Sequence, residues 1–242
     1  MDEIKTIDLT KKYKDFVAVC KLNLSIKKGE LFSLLGVNGA GKTTTVKMLS
    51  CLTKPTEGDG FVFGKSILSD KQAIKKIISV SPQESAVAPN LTTKENLSLI
   101  CGVYGFSKDK TENEIKKYAN LLDLNGFLSK KAGKLSGGQK RKVSIAMALI
   151  SEPQVLFLDE PTLGLDVISR RELWDIILKL KGKITVILTT HYMEEAEMLS
   201  DRVGIMKNGK LLAVGTPNEL IERTNTIRFE DAFISIVRES EV

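Results

Sequence analysis

Apolar positions along this chain fall into short, nearly unbroken runs, separated by longer stretches in which they recur every three or four residues. The runs at Leu31–Leu35, Ile77–Val80, Val155–Leu158, Thr185–Thr189 and Val203–Met206 predict strands. Several are apolar at every position, as expected of central parallel strands buried on both faces. Near the start, Ile4–Leu9 and Val17–Ile26 alternate polar and apolar, which predicts antiparallel strands flanking that core. Lys207-Asn208-Gly209-Lys210 joins two apolar runs through Asn-Gly, the signal of a type I′ hairpin. Thr216-Pro217-Asn218-Glu219 supplies an N-cap, a proline at the first helical position and a glutamate at the third, so a helix should start there. From about Thr92 to Ile150 the chain becomes rich in Lys and Glu. Leu97, Ile100, Ile115, Tyr118, Leu121 and Leu122 then recur at helical spacing. Strands alternating with helices predict an α/β fold with a mostly parallel sheet, and the middle stretch reads as a helical insertion into it.

Composition narrows this picture modestly. The 242 residues suffice for one large domain or two small ones with a real core, and the 42% hydrophobic content excludes a disordered chain. No apolar run approaches the ~18 residues that cross a bilayer. The first ten residues lack an apolar signal core, so the expected location is the cytosol. Three widely spaced cysteines without a C-x-x-C argue against disulfides or a cysteine zinc site. A net charge of +6 is compatible with nucleic acid, with an anionic membrane surface, or with an ordinary solvated exterior.

The chemistry is concentrated in three segments. The predicted strand Leu31–Leu35 runs into Gly36-Val37-Asn38-Gly39-Ala40-Gly41-Lys42-Thr43-Thr44, a full match to G-x-x-x-x-G-K-S/T, with a helix expected over Thr44–Leu52. Glycines let such a loop curl until its N–H groups point inward, an anion nest at a helix start. Lys42 can then reach the β- and γ-phosphates of a nucleoside triphosphate, and the Thr43 hydroxyl can ligate Mg²⁺. About 115 residues on, the apolar run Val155–Leu158 ends in Asp159-Glu160. A buried strand delivers Asp159 to the sheet's carboxyl edge as the metal-side carboxylate, and Glu160 can aim at the attacking water as general base or as its polariser. Third, Leu135-Ser136-Gly137-Gly138-Gln139 precedes a predicted helix, Lys140–Ile150. Ser136 can cap that helix and the glycines expose N–H groups, which makes a second anion cradle. One triphosphate site does not need two cradles. The economical reading is that the second serves a γ-phosphate bound by another subunit.

With those segments in hand, the sequence resembles the nucleotide-binding subunits of ABC transporters over nearly its whole length and in that family's motif order. Leu135–Gln139 matches the family signature, which is far more specific than the phosphate loop. The resemblance implies a P-loop NTPase (RecA-like) core, residues 1–82 and 152–227, with an antiparallel β subdomain. It also implies an inserted helical signature subdomain over 83–151 and a short C-terminal helix within 228–242. Tyr13 stands where the family places an aromatic that stacks on adenine, followed here by Lys14 where many relatives have Gly. Gln83 matches the Q-loop glutamine, a Mg²⁺ and γ-phosphate sensor, and Asp166 in Leu163-Gly164-Leu165-Asp166 matches the D-loop. His191, the only histidine, follows the run Ile184–Thr190 and matches the switch histidine that holds the γ-phosphate and water with Glu160.

The implied ligands are ATP and Mg²⁺, bound between two subunits meeting head to tail. Gly36, Asn38, Gly39, Ala40, Gly41, Lys42, Thr43 and Thr44 of one would face Ser136, Gly137, Gly138 and Gln139 of the other. Thr43, Gln83 and Asp159 would hold the metal, and Glu160, His191, Gln83 and Lys42 would act in hydrolysis. Thr189–Glu197 and Phe229–Phe233 look like the ABC-2, drug-resistance type of bacterial exporter. A chain without a membrane span then needs separate polytopic membrane subunits, at the cytoplasmic face of the membrane. The competing class is a non-transport ABC ATPase acting on nucleic acid or ribosomes. Against it stand an interval of about 90 residues between phosphate loop and signature without sustained heptads, a single ATPase domain, and the lack of zinc cysteines.

Overall fold

The structure is a computed structural model that describes residues 2–84 and 86–240. Two sheets form its frame. In chain order the first strands are β1 (Asp2–Tyr13), β2 (Phe16–Leu22), β3 (Ser25–Lys27) and β4 (Leu31–Leu35). After α1 (Lys42–Leu49) come β5 (Glu57–Val62), β6 (Lys65–Ser66), α2 (Lys71–Lys75) and β7 (Ile78–Ser81). The helices α3 (Thr93–Val103), α4 (Lys108–Leu121) and α5 (Gly137–Leu149) precede β8 (Val155–Asp159), α6 (Val167–Leu178) and β9 (Thr185–Thr190). The chain closes with α7 (Met193–Leu199), β10 (Arg202–Lys207), β11 (Lys210–Gly215), α8 (Pro217–Thr224) and α9 (Phe229–Glu239).

The larger sheet runs β11-β10-β4-β9-β8-β7, parallel throughout except for the β10–β11 hairpin. Its central strands β4, β8 and β9 are buried at every residue, which explains their unbroken apolar runs. Alternate side chains go to opposite faces, as strand geometry requires. Leu156, Leu158, Val186 and Leu188 join the helices α3 to α6 in one cluster. Val155, Phe157 and Ile187 join Val46, Met48 and Leu49 of α1 and the second sheet in another. Leu35, Val203, Ile205 and Ala213 meet Leu220, Phe229, Phe233 and Ile236 of α8 and α9 in a third.

The second sheet is antiparallel, ordered β2-β1-β5-β6, with β3 also pairing with β1. The single strand expected over Val17–Ile26 is two strands, broken at Asn23-Leu24. Asn23 turns its side chain to the neighbouring strand, accepting from the Asp8 N–H at 2.9 Å, while the Thr6 hydroxyl donates to the Leu22 carbonyl. Strand β5 was invisible to periodicity because Glu57-Gly58-Asp59-Gly60 has poor strand propensity. Its pairing with β1 supplies the order that its composition does not.

Turn and cap chemistry follows the sequence closely. Asn208 and Gly209 both have positive φ, 48° and 75°, as a type I′ turn demands. Thr216 caps α8 in a reciprocal capping box with Glu219, with Pro217 at the first helical position. Two helix starts differ from expectation. Helix α1 begins at Lys42 rather than Thr44, because Gly41 at φ 103° is itself the N-cap. Helix α5 begins at Gly137 rather than Lys140, because the Ser136 cap reaches the Gln139 N–H and so places both glycines inside the first turn.

Candidate functional site

Parallel strands put all their carboxyl ends on one edge, and the register decides which residues meet there. Leu35 is level with Thr190, Thr189 with Asp159, and Leu158 with Ser81. The residues just beyond, Gly36, Glu160, His191 and Gln83, therefore converge although they lie far apart in sequence.

The phosphate loop is built by close backbone approach. A Cβ on Gly36 would lie 2.3 Å from the Met206 carbonyl oxygen, and one on Gly41 2.5 Å from that of Ala18. The β10–β11 turn buttresses the loop from outside, the Gly209 N–H donating to the Ala40 carbonyl and the Cys20 N–H to that of Gly209. Gly41 offers no side-chain cap to α1, so the helix's first N–H groups face the curl of the loop. Asn38, Gly39, Ala40, Gly41, Lys42, Thr43 and Thr44 line a cavity of about 370 Å³ with Phe16, Gln83, Glu160 and Leu163.

The ionisable groups are densely interlocked. Lys42 Nζ donates to the Gly36 carbonyl at 2.7 Å and lies 3.1 Å from Glu160 Oε1, both side chains being less than a tenth exposed. The other oxygen of Glu160 accepts from His191 Nδ1 at 2.7 Å. An ionised carboxylate only accepts, so Nδ1 carries the proton and Nε2 is left to face a further partner. Glu160 has φ 48°, an uncommon conformation for a side-chain-bearing residue. Its N–H is held by both the carbonyl and the hydroxyl of Thr189, at 3.1 and 3.0 Å. The Thr189 hydroxyl in turn donates to Asp159 Oδ1 at 2.5 Å, and Thr43 donates to the same oxygen at 3.0 Å. Thr189, which the sequence did not single out, thus ties the two acids together from the next strand. Its sequence signals were a threonine pair closing an apolar run and its place at the start of the Thr189–Glu197 run.

Six expected residues lie apart from this cluster. Ser136 and Gly137 are exposed at the start of α5 and do not line the cavity, and Gln139 turns its side chain back to the Ser136 N–H at 3.1 Å. Gly138 is buried against α6, where a Cβ would meet the Ser169 side chain at 2.9 Å. Asp166 caps α6, accepting from the N–H and hydroxyl of Ser169 at 2.9 and 2.7 Å. Those bonds hold its carboxyl below the ordinary aspartate range. Tyr13 does not line the cavity. Its cross-strand partner Phe16 does, and Tyr13 instead carries the Lys11 ammonium 4.9 Å from its ring centre.

Behind the cluster lies a buried polar layer. Glu195 of α7 is fully buried and accepts from Trp174 Nε1 at 2.9 Å, and burial pushes its carboxyl above the ordinary glutamate value. Tyr192 packs on His191 with ring centres 4.1 Å apart and the planes tilted by 40°, and the Arg170 guanidinium lies 4.5 Å from the centre of the Tyr192 ring. Among the described residues no group of three or more His, Cys, Asp or Glu side chains is arranged to hold a metal. Thr43 and Asp159 nevertheless present two hard oxygens side by side at the nest. That set fits a Mg²⁺ ion, which takes few protein ligands and completes its shell with phosphate and water.

Comparison with known proteins bears on the family and the fold. A family model described as ABC transporter matches residues 19–163. The human phospholipid-transporting ATPase ABCA3 is 42% identical across 84% of this chain and 12% of its own length. The probable multidrug ABC transporter ATP-binding protein YbhF of Escherichia coli is 37% identical across 98% of this chain and 42% of its own length. The chain therefore spans less than half of the length of these curated relatives. Among solved structures, an ATP-binding subunit of an ABC transporter superposes with a TM-score of 0.85 at 26% identity, over 97% of this chain and 99% of its own. A dimeric ATP-binding cassette in a post-hydrolysis state, bound to ADP and Pi, superposes with a TM-score of 0.79 at 29% identity, over 88% of this chain and 98% of its own.

Proposed function

This chain belongs to the ABC transporter family, the model of which matches residues 19–163, and from that premise we propose that it binds and hydrolyses ATP to power a transporter of the exporter type. The observation that carries the reading is Glu160, held between Lys42 and His191 at the mouth of the phosphate loop. In that position its carboxylate takes the proton from a water as the water oxygen attacks the γ-phosphorus. The bond from the γ-phosphorus to the bridging oxygen breaks, leaving ADP and inorganic phosphate. Lys42 and the N–H groups of residues 39–43 receive the charge on the phosphate oxygens. His191 keeps Glu160 oriented through Nδ1 and turns Nε2 toward the γ-phosphate. Thr43 and Asp159, with Gln83 at the cavity wall, would hold Mg²⁺, which neutralises charge on the β- and γ-oxygens when bound.

The position of the signature supports a trans arrangement. Ser136, Gly137 and Gly138 present their helix start away from the chain's own cavity, ready for the nucleotide of a second subunit, and two intact half-sites on one chain permit a homodimer. In this reading residues 83–151 form a helical unit that moves with the signature, α9 is a short tail, and the γ-phosphate shared by both subunits closes the dimer. Hydrolysis removes the shared charge and lets it open. No helix among the described residues is long and apolar enough to cross a membrane. In this reading polytopic membrane subunits supply the transport path, with this unit at the cytoplasmic face. The Escherichia coli relative described as a multidrug transporter component supports the exporter type, and none of the matches reported above points to nucleic acid.

Three variants test this in vitro. Ser136→Asp keeps an N-cap acceptor for α5 but sets a negative charge where the partner's γ-phosphate would lie. ATP binding by the isolated subunit should stay within twofold of wild type by fluorescent-nucleotide titration, while phosphate release falls by about 10²-fold. Equal loss of both would remove the trans assignment. Wild type that releases no phosphate from Mg²⁺-ATP, or that binds DNA with steep salt dependence, would overturn the function itself. The adenine platform separates by a second pair. A base stacked on an aromatic contributes about 1–3 kcal/mol, so Phe16→Ala should weaken ATP binding by about tenfold. Tyr13→Ala, whose ring lies outside the cavity lining, should change it less than twofold; the reverse order would return the role to Tyr13.

A further inference from the structure

Arg141 is one turn into α5, the helix that begins at the signature, and it is 4% exposed. A guanidinium so buried needs partners, because an unpaired charge in the interior is strongly penalised. Its partners are not side chains. Nη1 donates to the Pro82 carbonyl at 2.6 Å, and Nη2 donates to the Gln83 carbonyl, with a longer contact of 3.4 Å to the carbonyl of Glu160. Burial pushes the group down from its ordinary value, while the charges of Asp159 and Glu195 hold it up. A second tie runs parallel to the first, the hydroxyls of Ser81 and Ser144 lying 3.0 Å apart between β7 and α5.

These contacts join three segments that the sequence separates widely. The loop after β7 carries Gln83, the end of β8 carries Glu160, and α5 carries the signature. We propose that Arg141 is a positioning residue for hydrolysis, clamping the Gln83 loop and the Glu160 main chain to the signature helix. A movement of α5 then shifts the cavity wall and the general base together. The proposal rests on the reading of Glu160 as general base. It goes further by naming what holds that base and the Gln83 loop to α5. Arg141 does not itself line the cavity but holds the main chain of Gln83 and Glu160, which do, so its effect is indirect. The planar fork suits it to hold two successive carbonyls with two fixed N–H groups, whereas a lysine's ammonium is a point donor on a flexible stem.

The test compares wild type, Arg141→Lys and Arg141→Gln as purified chains, with phosphate release measured against ATP concentration. A misplacement of about 1 Å in a catalytic group can cost about 10²-fold in rate, so Arg141→Gln should lose kcat on that order while KM and nucleotide affinity stay within about threefold. Arg141→Lys should fall between it and wild type. Hydrogen exchange should show faster exchange of residues 82–88 in both variants, with β4, β8 and β9 unchanged. If Arg141→Gln does not fold, Arg141→Lys carries the test, with a kcat loss of about fivefold to tenfold expected. Variants that fold and keep kcat within twofold, or that lose affinity and kcat equally, would overturn the clamp and leave the ATPase reading intact. Wild type that binds ATP but does not hydrolyse it would overturn the ATPase reading and, with it, the proposal.

Discussion

Glu160→Gln should retain ATP and lose turnover by about 10²–10⁴-fold, the range expected for removal of a general base. The substitution preserves shape, so the reason lies in chemistry and not in packing. The carboxylate now accepts from His191 Nδ1 through one oxygen and lies 3.1 Å from Lys42 through the other. An amide retains an acceptor for one of these partners only. With its oxygen toward the Lys42 ammonium, its NH₂ faces His191 and forces the proton from Nδ1 to Nε2. Binding survives because the nest of N–H groups and Lys42 are unchanged. With ATP held and not consumed, the shared γ-phosphate should keep two subunits together, and a dimer should appear by size-exclusion chromatography on adding Mg²⁺-ATP. Phosphate release at the wild-type rate would take the general-base role away from Glu160. Lost turnover without a dimer would leave the base in place and remove the closure step.

Lys42→Met is expected to act twice, on binding and on stability. The phosphate loop loses its one buried cation, so ATP affinity should fall by at least the roughly tenfold that 1.4 kcal/mol represents. Independently, Glu160 loses its ion-pair partner inside the protein, both side chains being less than a tenth exposed. Removing one member of a buried pair typically costs about 3–5 kcal/mol, and the remaining bond from His191 puts this case at the lower end. At about 2–4 °C per kcal/mol for a chain of this size, the melting temperature should drop measurably. The double variant Lys42→Met, Glu160→Gln separates the effects, because it no longer buries a lone carboxylate. It should regain most of the lost stability but none of the lost ATP affinity, a non-additivity that a double-mutant cycle reads directly. Additive losses in melting temperature would mean that the pair contributes nothing to the fold.

How much of this was legible beforehand depended on whether the signal was contiguous. The phosphate loop, the acid pair after β8 and the capped signature each lie within a few residues, and each was readable because local backbone chemistry demands those residue types at that spacing. Helix starts were off by two or three residues where a glycine or serine cap, and not a hydrophobic repeat, sets the boundary. Strand β5 escaped because its pairing partner, and not its own composition, holds it in the sheet. Tyr13 and Phe16 flank one tight turn, and which of them lines the cavity is a matter of how the β1–β2 hairpin docks on the loop. Thr189 stood only at the edge of the Thr189–Glu197 run, and Arg141 carried no motif at all. Their importance comes from what they touch across strands and helices.

The sequence by itself therefore determined the α/β alternation, the buried parallel strands, the phosphate loop, and the pool of groups available for chemistry, including a single histidine and a mild net charge of +6. These follow from periodicity and local turn chemistry, which act over a few residues. Only the tertiary structure decided that Glu160 sits between Lys42 and His191, that Thr189 ties Asp159 to Glu160, and that a buried Arg141 joins the signature helix to the carbonyls of Gln83 and Glu160. Those relations depend on strand register and helix packing. A shift of one residue in a strand would turn its side chains to the other face and dissolve the site without altering a single motif.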